Sequence, residues 1–269
     1  MILDIFKDSF KYSSESFKKL ISLGFLVVLG QMIIFPVILL EGYYYRVTKV
    51  GVHGLINGDD PLPELNEWAT MFIQGLKMMA VNLAYALPGL IVLGIIMASI
   101  PENALFPTLV EEIGSSAAPS FLSVNPTTIG ALWIIFIIPI VIWLISYLFA
   151  TVATTHMIYN DSLKSAFNLK EIVDIIKSIG VFNYIKYYIG YVILYFGTII
   201  TALLLILIFS SLIGLIVMTI SSSYYVGFSV IFGLTYFIYI AISVFIIEPF
   251  MNIFNSRAIA LLYNMRDEI

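Results

Sequence analysis

Long stretches of this chain carry no charge, and the segments between them are polar and rich in lysine, proline or glycine. Residues 20–40, 78–101, 113–160 and 187–247 contain no Asp, Glu, Lys or Arg. About 20 apolar residues in a helix cross a bilayer core, so the first two runs supply one crossing each if they cross fully. The third supplies one, because residues 113–126 are small, polar and broken by proline. The last is long enough for two, with SSSYY at 221–225 as the turn between them. The pattern predicts an all-α, polytopic helical membrane protein forming a single membrane domain over 1–269.

Composition agrees. Of 269 residues, 61% are hydrophobic and 11% charged, against roughly 25% charged in an average soluble domain. A soluble fold cannot hide that much apolar surface, so lipid is the expected solvent. The chain has no cysteine, which removes disulfides, thiolate metal sites and thiol redox chemistry together. A cleavable signal peptide is not expected, because Lys18 and Lys19 lie too far in and no small-residue cleavage site follows the first apolar run. A net charge of −4 argues against a nucleic-acid partner.

Lysine and arginine orient the spans. Loop 41–77 carries Arg46, Lys49 and Lys77, loop 102–126 none, and loop 156–186 carries Lys164, Lys170, Lys177 and Lys186. The turn at 221–225 has none, and the C-terminal segment has Arg257 and Arg266. This alternation places both termini and both basic loops in the cytoplasm, with the chain in the cell membrane. The N-terminal Lys7, Lys11, Lys18 and Lys19 then conflict with a single crossing by residues 20–47. Two readings survive. Either the N-terminus lies outside against its charge, or residues 20–47 enter and return as a hairpin. At about 1.5 Å per residue, each leg would be roughly 21 Å, short of a ~30 Å core.

A displaced copy is also visible. IIFPVILLEGYYYRVTKVGVHGLING (33–58) lies over FIIPIVIWLISYLFATVATTHMIYND (136–161), which pairs Pro36 with Pro139, His53 with His156 and Asn57 with Asn160. Repeats of about 20–100 and 127–220 are expected, parallel in sense, with a partial third over about 226–266. Each unit would hold an inbound helix, a polar turn, an interfacial amphipathic helix and an outbound helix. In the first copy Asp60 would cap a helix with Pro61 and Pro63 in its first turn. Gly51, Gly54 and Gly58 would loosen the helix before it. Leu65, Trp68, Phe72 and Leu76 would then line an apolar face. In the second copy Asn168 and Glu171 form a capping-box pattern before Ile172, Ile175, Ile176 and Ile179. Segments 1–19 and 251–266 also read as amphipathic surface helices.

The segments GYYYRV (42–47), DDPLPELNEW (59–68), FIQGLK (72–77), SLKSAFNLKEIVDIIKSIG (162–180) and SRAIALLY (256–263) resemble the domain-of-unknown-function 4013 family. Its members are small integral membrane proteins, found mostly in archaea. The resemblance implies the class and the topology. It implies no catalytic residue.

Candidate chemistry is sparse. Asp59, Asp60, Glu64 and Glu67 could hold Mg²⁺ on a diphosphate substrate, but the cluster is single and interrupted by prolines. Capping and solvation explain it more simply. His53 and His156, the only histidines, could offer two metal ligands, or bond to backbone or water at the interface. Arg46 among Tyr43, Tyr44 and Tyr45 could hold a lipid phosphate or snorkel within an aromatic belt. No charge lies in the middle of a predicted span, where ion-coupled transporters commonly keep one. No P-loop, GxSxG or dinucleotide fingerprint is present.

The reading is of a non-enzymatic membrane protein without cofactor or metal, which binds lipid or a membrane or cytoplasmic protein at its cytoplasmic face. Arg46, His53, Trp68 and His156 are the candidate contact residues. A carrier for an apolar or amphiphilic solute is the alternative, marked by a cavity lined by Gln31, Asn82 or Tyr85. A Mg²⁺-dependent lipid-modifying enzyme comes third.

Overall fold

A computed structural model describes residues 1–99 and 126–267, with side chains described outside 126–136 and 267. The expected external loop at 102–126 falls almost wholly outside the described residues. Every regular element among the described residues is helical: α1 (Ile2–Ser13), α2 (Phe17–Gly30), α3 (Ile34–His53), α4 (Trp68–Ser99), α5 (Pro126–Tyr159), α6 (Leu169–Ile179), α7 (Val181–Ser221), α8 (Tyr224–Ile242) and α9 (Glu248–Asn264). A π-helical turn, Ser243–Ile247, joins α8 to α9 without a break. Short 3₁₀ turns lie at Leu163–Phe167 and Met265–Asp267.

Four segments are long and apolar enough to cross a membrane: Trp68–Ser99, Ile137–Tyr159, Val181–Ser221 and Tyr224–Asn264. In the most apolar window of Val181–Ser221 only 17% is buried within the chain. Its leucines and isoleucines therefore face outward, as a lipid solvent requires. The protein is a helical membrane protein.

Residues 20–47 do not form a fifth such segment. α2 has 14 residues, about 21 Å at 1.5 Å each, and stops at the break before Ile34. Leu20, Leu23 and Val27 of α2 pack with Leu39, Leu40, Tyr43 and Tyr44 of α3 in one buried cluster. Both legs end at the same place. Lys19, at the foot of α2, contacts the Glu64 carboxylate at 3.1 Å, while Arg46 of α3 donates to the Glu64 carbonyl at 3.2 Å. Within the chain, α2 and α3 are thus the two legs of a helical hairpin.

The chain divides into two compact units, residues 1–79 with 152–269, and residues 80–151. In the first unit α9 is the centre: Met251, Ile253, Phe254, Arg257, Ala258 and Leu262 are all buried, with α1, α2 and α3 packed on it. Segment 251–266 is therefore not a surface helix. It lacks the exposed face that such a helix needs, because other helices cover it on several sides. α3 and the start of α4 cross closely, since a Cβ at Gly42 would strike the Met71 carbonyl and one at Gly75 the Ile38 carbonyl. α7 and α8 form an antiparallel pair closed by Ser222 in the left-handed region (φ 51°), with Ser210 hydrogen-bonded to Thr235. In the second unit Pro88 and Pro139 lie inside α4 and α5, and Trp143 stacks on Tyr147.

Downstream of the paired histidines the two proposed copies take different forms. After Asn168, whose side chain accepts from the Glu171 N–H, α6 forms as the capping box predicts and buries Ile172, Ile175 and Ile179. After Gly58 no surface helix forms. Residues 59–67 form a non-helical strap with a bend at Leu65, and the next helix starts only at Trp68.

Candidate functional site

The reason for that non-helical strap lies in its carbonyl groups. Tyr12 of α1 donates to the Pro61 carbonyl (3.3 Å) and Lys19 of α2 to that of Leu62 (2.8 Å). Arg46 of α3 donates to the carbonyls of Glu64 (3.2 Å), Asn66 (2.9 Å) and Glu67 (3.4 Å). A helix would need those oxygens for its own ladder. Pro61 and Pro63 have no N–H to satisfy, and the Leu62 N–H goes to the Glu15 carboxylate (3.2 Å). Leu62 itself is buried, worth about 1.5–3 kcal/mol. The strap is bracketed by two left-handed residues, Asn57 (φ 61°) and Glu67 (φ 50°). So Asp60 caps nothing, and the prolines sit in no first turn.

The four carboxylates of this stretch diverge. Glu64 pairs with Lys19 (3.1 Å), Glu67 with Arg46 (3.6 Å) and Asp59, fully in solvent, with Lys11 (3.8 Å). Asp60 alone turns inward, to Arg257 (2.9 Å). Among the described residues no three His, Asp or Glu side chains converge to hold a metal.

Arg257 is the unforeseen centre. Its side chain has 0% exposure. Nε donates to Asp8 Oδ1 at 3.0 Å and Nη2 to the Leu55 carbonyl at 3.2 Å. The Asp60 contact is an ion pair without hydrogen-bond alignment. Asp8 is itself buried and accepts the Asn57 N–H at 2.6 Å through its other oxygen. The guanidinium lies 4.8 Å from the Tyr12 ring centre. Burial raises the pKa of the Tyr12 phenol, against the opposing pull of Arg257. Gly54 leaves the room this group needs, because a Cβ there would sit 2.5 Å from Asp60 Oδ2 and 2.7 Å from Arg257 Nη1. Gly51 is close-packed on Ala260 in the same way, inside α3, which runs on to His53. These glycines permit close contact where α3 ends, with Gly54 as its C-cap. A hollow of about 220 Å³ opens beside the pair, lined by Asp8, Lys11, Tyr12, Glu15 and 58–60.

The sequence held one signal for this centre. On a helical projection Asp8 falls on the same face as Ile5 and Tyr12, so a carboxylate on an apolar face asks for a buried cation. Arg257, alone in an apolar run, was the available one.

The four candidate contact residues have different surroundings. Arg46 is largely enclosed, its donors spread over Gln74 and the strap. Trp68 opens α4 with 49% of its surface exposed. His53 is exposed and stacks on Tyr159 (6.0 Å between centroids). His156 is buried. Its Nε2 lies 3.2 Å from the Glu171 carboxylate and its Nδ1 2.6 Å from the Tyr263 hydroxyl. A carboxylate only accepts, so Nε2 donates to Glu171, while Nδ1 and the Tyr263 hydroxyl share the second hydrogen bond. Arg266 stacks over both Tyr159 (4.2 Å) and Tyr263 (3.9 Å). This cluster ties α3, α5, α6 and α9 together. Gln31 and Asn82 are both exposed.

No curated protein and no solved structure matches the chain. A family model described as "Protein of unknown function (DUF4013)" matches residues 25–209. That span takes in the end of α2, all of α3, the strap, both histidines and α6, and it is well over half of the chain, which therefore belongs to the DUF4013 family.

Proposed function

We propose that this protein works without catalysis, as a multi-pass membrane scaffold whose cytoplasmic face binds lipid headgroups or a partner protein. In this reading the hairpin of α2 and α3 dips into one leaflet and the four long segments cross. All thirteen Lys and Arg of the chain then fall on the cytoplasmic side with both termini, as positive-inside orientation favours.

One observation carries the reading. Among the described residues, buried polar groups that could have served chemistry or a solute path hold helices together. Asp8, Asp60 and Arg257 join α1, the strap and α9, Arg46 and Lys19 hold the strap, and His156 holds α6. A carrier needs convergent polar groups around an accessible hollow, and an enzyme needs a free acid, base or metal site. A scaffold needs a fixed surface, which this arrangement supports.

Native mass spectrometry of the gently extracted protein tests the proposal. Retained phospholipid or a protein subunit is the expected result. A retained apolar metabolite in stoichiometric amount would overturn it in favour of a carrier.

A further inference from the structure

We infer that the outward face of α1, with the first turn of α2, is a binding edge for anionic phospholipid headgroups. This rests on the reading of a lipid-binding cytoplasmic face and names its lipid class and residues. α1 has two faces. Ile5, Asp8, Ser9 and Tyr12 are buried, while Leu3, Lys7, Phe10 and Lys11 are exposed. At 3.6 residues per turn Leu3 and Phe10 share one edge, with Lys7 and Lys11 beside it. After the break at 14–16, Phe17 and Lys18 continue both properties, and both are exposed.

The neighbours of α1 show which way its apolar edge looks. The Phe10 ring lies 5.2 Å from Phe250, and Phe6 lies 5.4 Å from Phe254 and 5.7 Å from Tyr187. Phe250 is nearer the apolar α8 than is Arg257, the partner of Asp8. α1 therefore sets Phe10 toward the lipid-crossing end of α9. Tyr187 belongs to a run of tyrosines, Tyr184, Tyr187, Tyr188, Tyr191 and Tyr195, in the first turns of α7. Tyrosine concentrates where a membrane helix passes the headgroups. So α1 lies at headgroup depth, with Phe10 toward the acyl chains and its lysines at the level of the phosphates.

Charge selects the lipid. Lys7 and Lys18 make no ion pair among the described residues, and the Lys11 contact with Asp59 is 3.8 Å long between exposed groups, a pair worth little. Lys19, by contrast, is engaged by the strap. A zwitterionic surface would accept the apolar edge and leave the lysines unanswered. An anionic one favours each lysine by about fivefold. Because the inner face of the same helix delivers Asp8 to Arg257, anionic lipid outside holds the ion pair closed inside.

The test is hydrogen exchange on the full chain in nanodiscs of phosphatidylcholine, alone or mixed in equal parts with phosphatidylglycerol. Amides of 2–13 should exchange at least about fivefold more slowly in the anionic discs, with 169–179 unchanged. Lys7→Glu with Lys18→Glu should abolish that difference, and Lys7→Arg with Lys18→Arg should keep it. Equal exchange of 2–13 in both discs overturns the inference, as does slowing that survives charge reversal. Protection that requires an added soluble protein also overturns it, assigning the face to a protein. Retention of a solute in the mass spectrum, with exchange still set by lipid charge, would sink the scaffold reading and leave this inference standing.

Discussion

Arg257 and Asp8 are 249 positions apart and meet with almost no access to water. A buried pair of this kind is weak evidence of stabilisation as such, but breaking one side of it is costly, at about 3–5 kcal/mol. Arg257→Met alone strands the Asp8 charge and should lower the melting temperature of the detergent-extracted protein by that amount of stability. Adding Asp8→Asn removes the stranded charge and should recover most of the loss, since Asp60, 33% exposed, can turn to water. Equal melting of the single and double variants would show that the pair does not hold α1. Gly54→Ala should cost roughly 1–3 kcal/mol by forcing a Cβ against Asp60 and Arg257. Gly94→Ala, with nothing within 4 Å, should melt like the wild type.

Among the elements, α6 and the strap show what local signals do and do not carry. α6 was legible because its cap and its isoleucine stripe lie within a dozen residues and point to one structure. The strap carries similar local signals, a carboxylate before two prolines, yet stays non-helical because Tyr12, Lys19 and Arg46 take its carbonyls from three helices. Ile172→Asp would bury a charge on α6 at a position with 0% exposure and should cost about 3 kcal/mol or more. Lys177→Gln, on the solvated side and paired with its neighbour Asp174, should change little. Thermal unfolding of the two variants side by side checks this. Near-equal melting would mean that α6 does not dock. Trp68 is a poorer probe of docking than Ile172, because half of its surface is exposed.

For the whole molecule, the proposed orientation, with a re-entrant hairpin and four crossings, puts both termini on one side. The packing of α1 on α9 agrees with that orientation. Single cysteines at Ser14 and Ser223 test it in this cysteine-free chain. An impermeant maleimide on intact cells should label position 223 and leave 14 unlabelled until the cells are opened. Labelling at 14 in intact cells would place the basic face outside and remove the orientation on which the lipid reading depends.

The chain by itself determined its solvent and its spans, because the bilayer imposes a one-dimensional rule. Runs of apolar residues long enough to cross are needed, and lysine counts order the loops between them. It also determined α6, whose forces are local. It left open whether residues 20–47 cross or return, since a short apolar run with basic residues at both ends satisfies either. Tertiary structure folds that segment into a helical hairpin, by bringing Lys19 and Arg46 to the same residue, Glu64. It likewise decided the fate of Asp60 and the burial of 251–266. Those outcomes depend on which cation, carbonyl or apolar face arrives from far along the chain, and no local pattern contains that information.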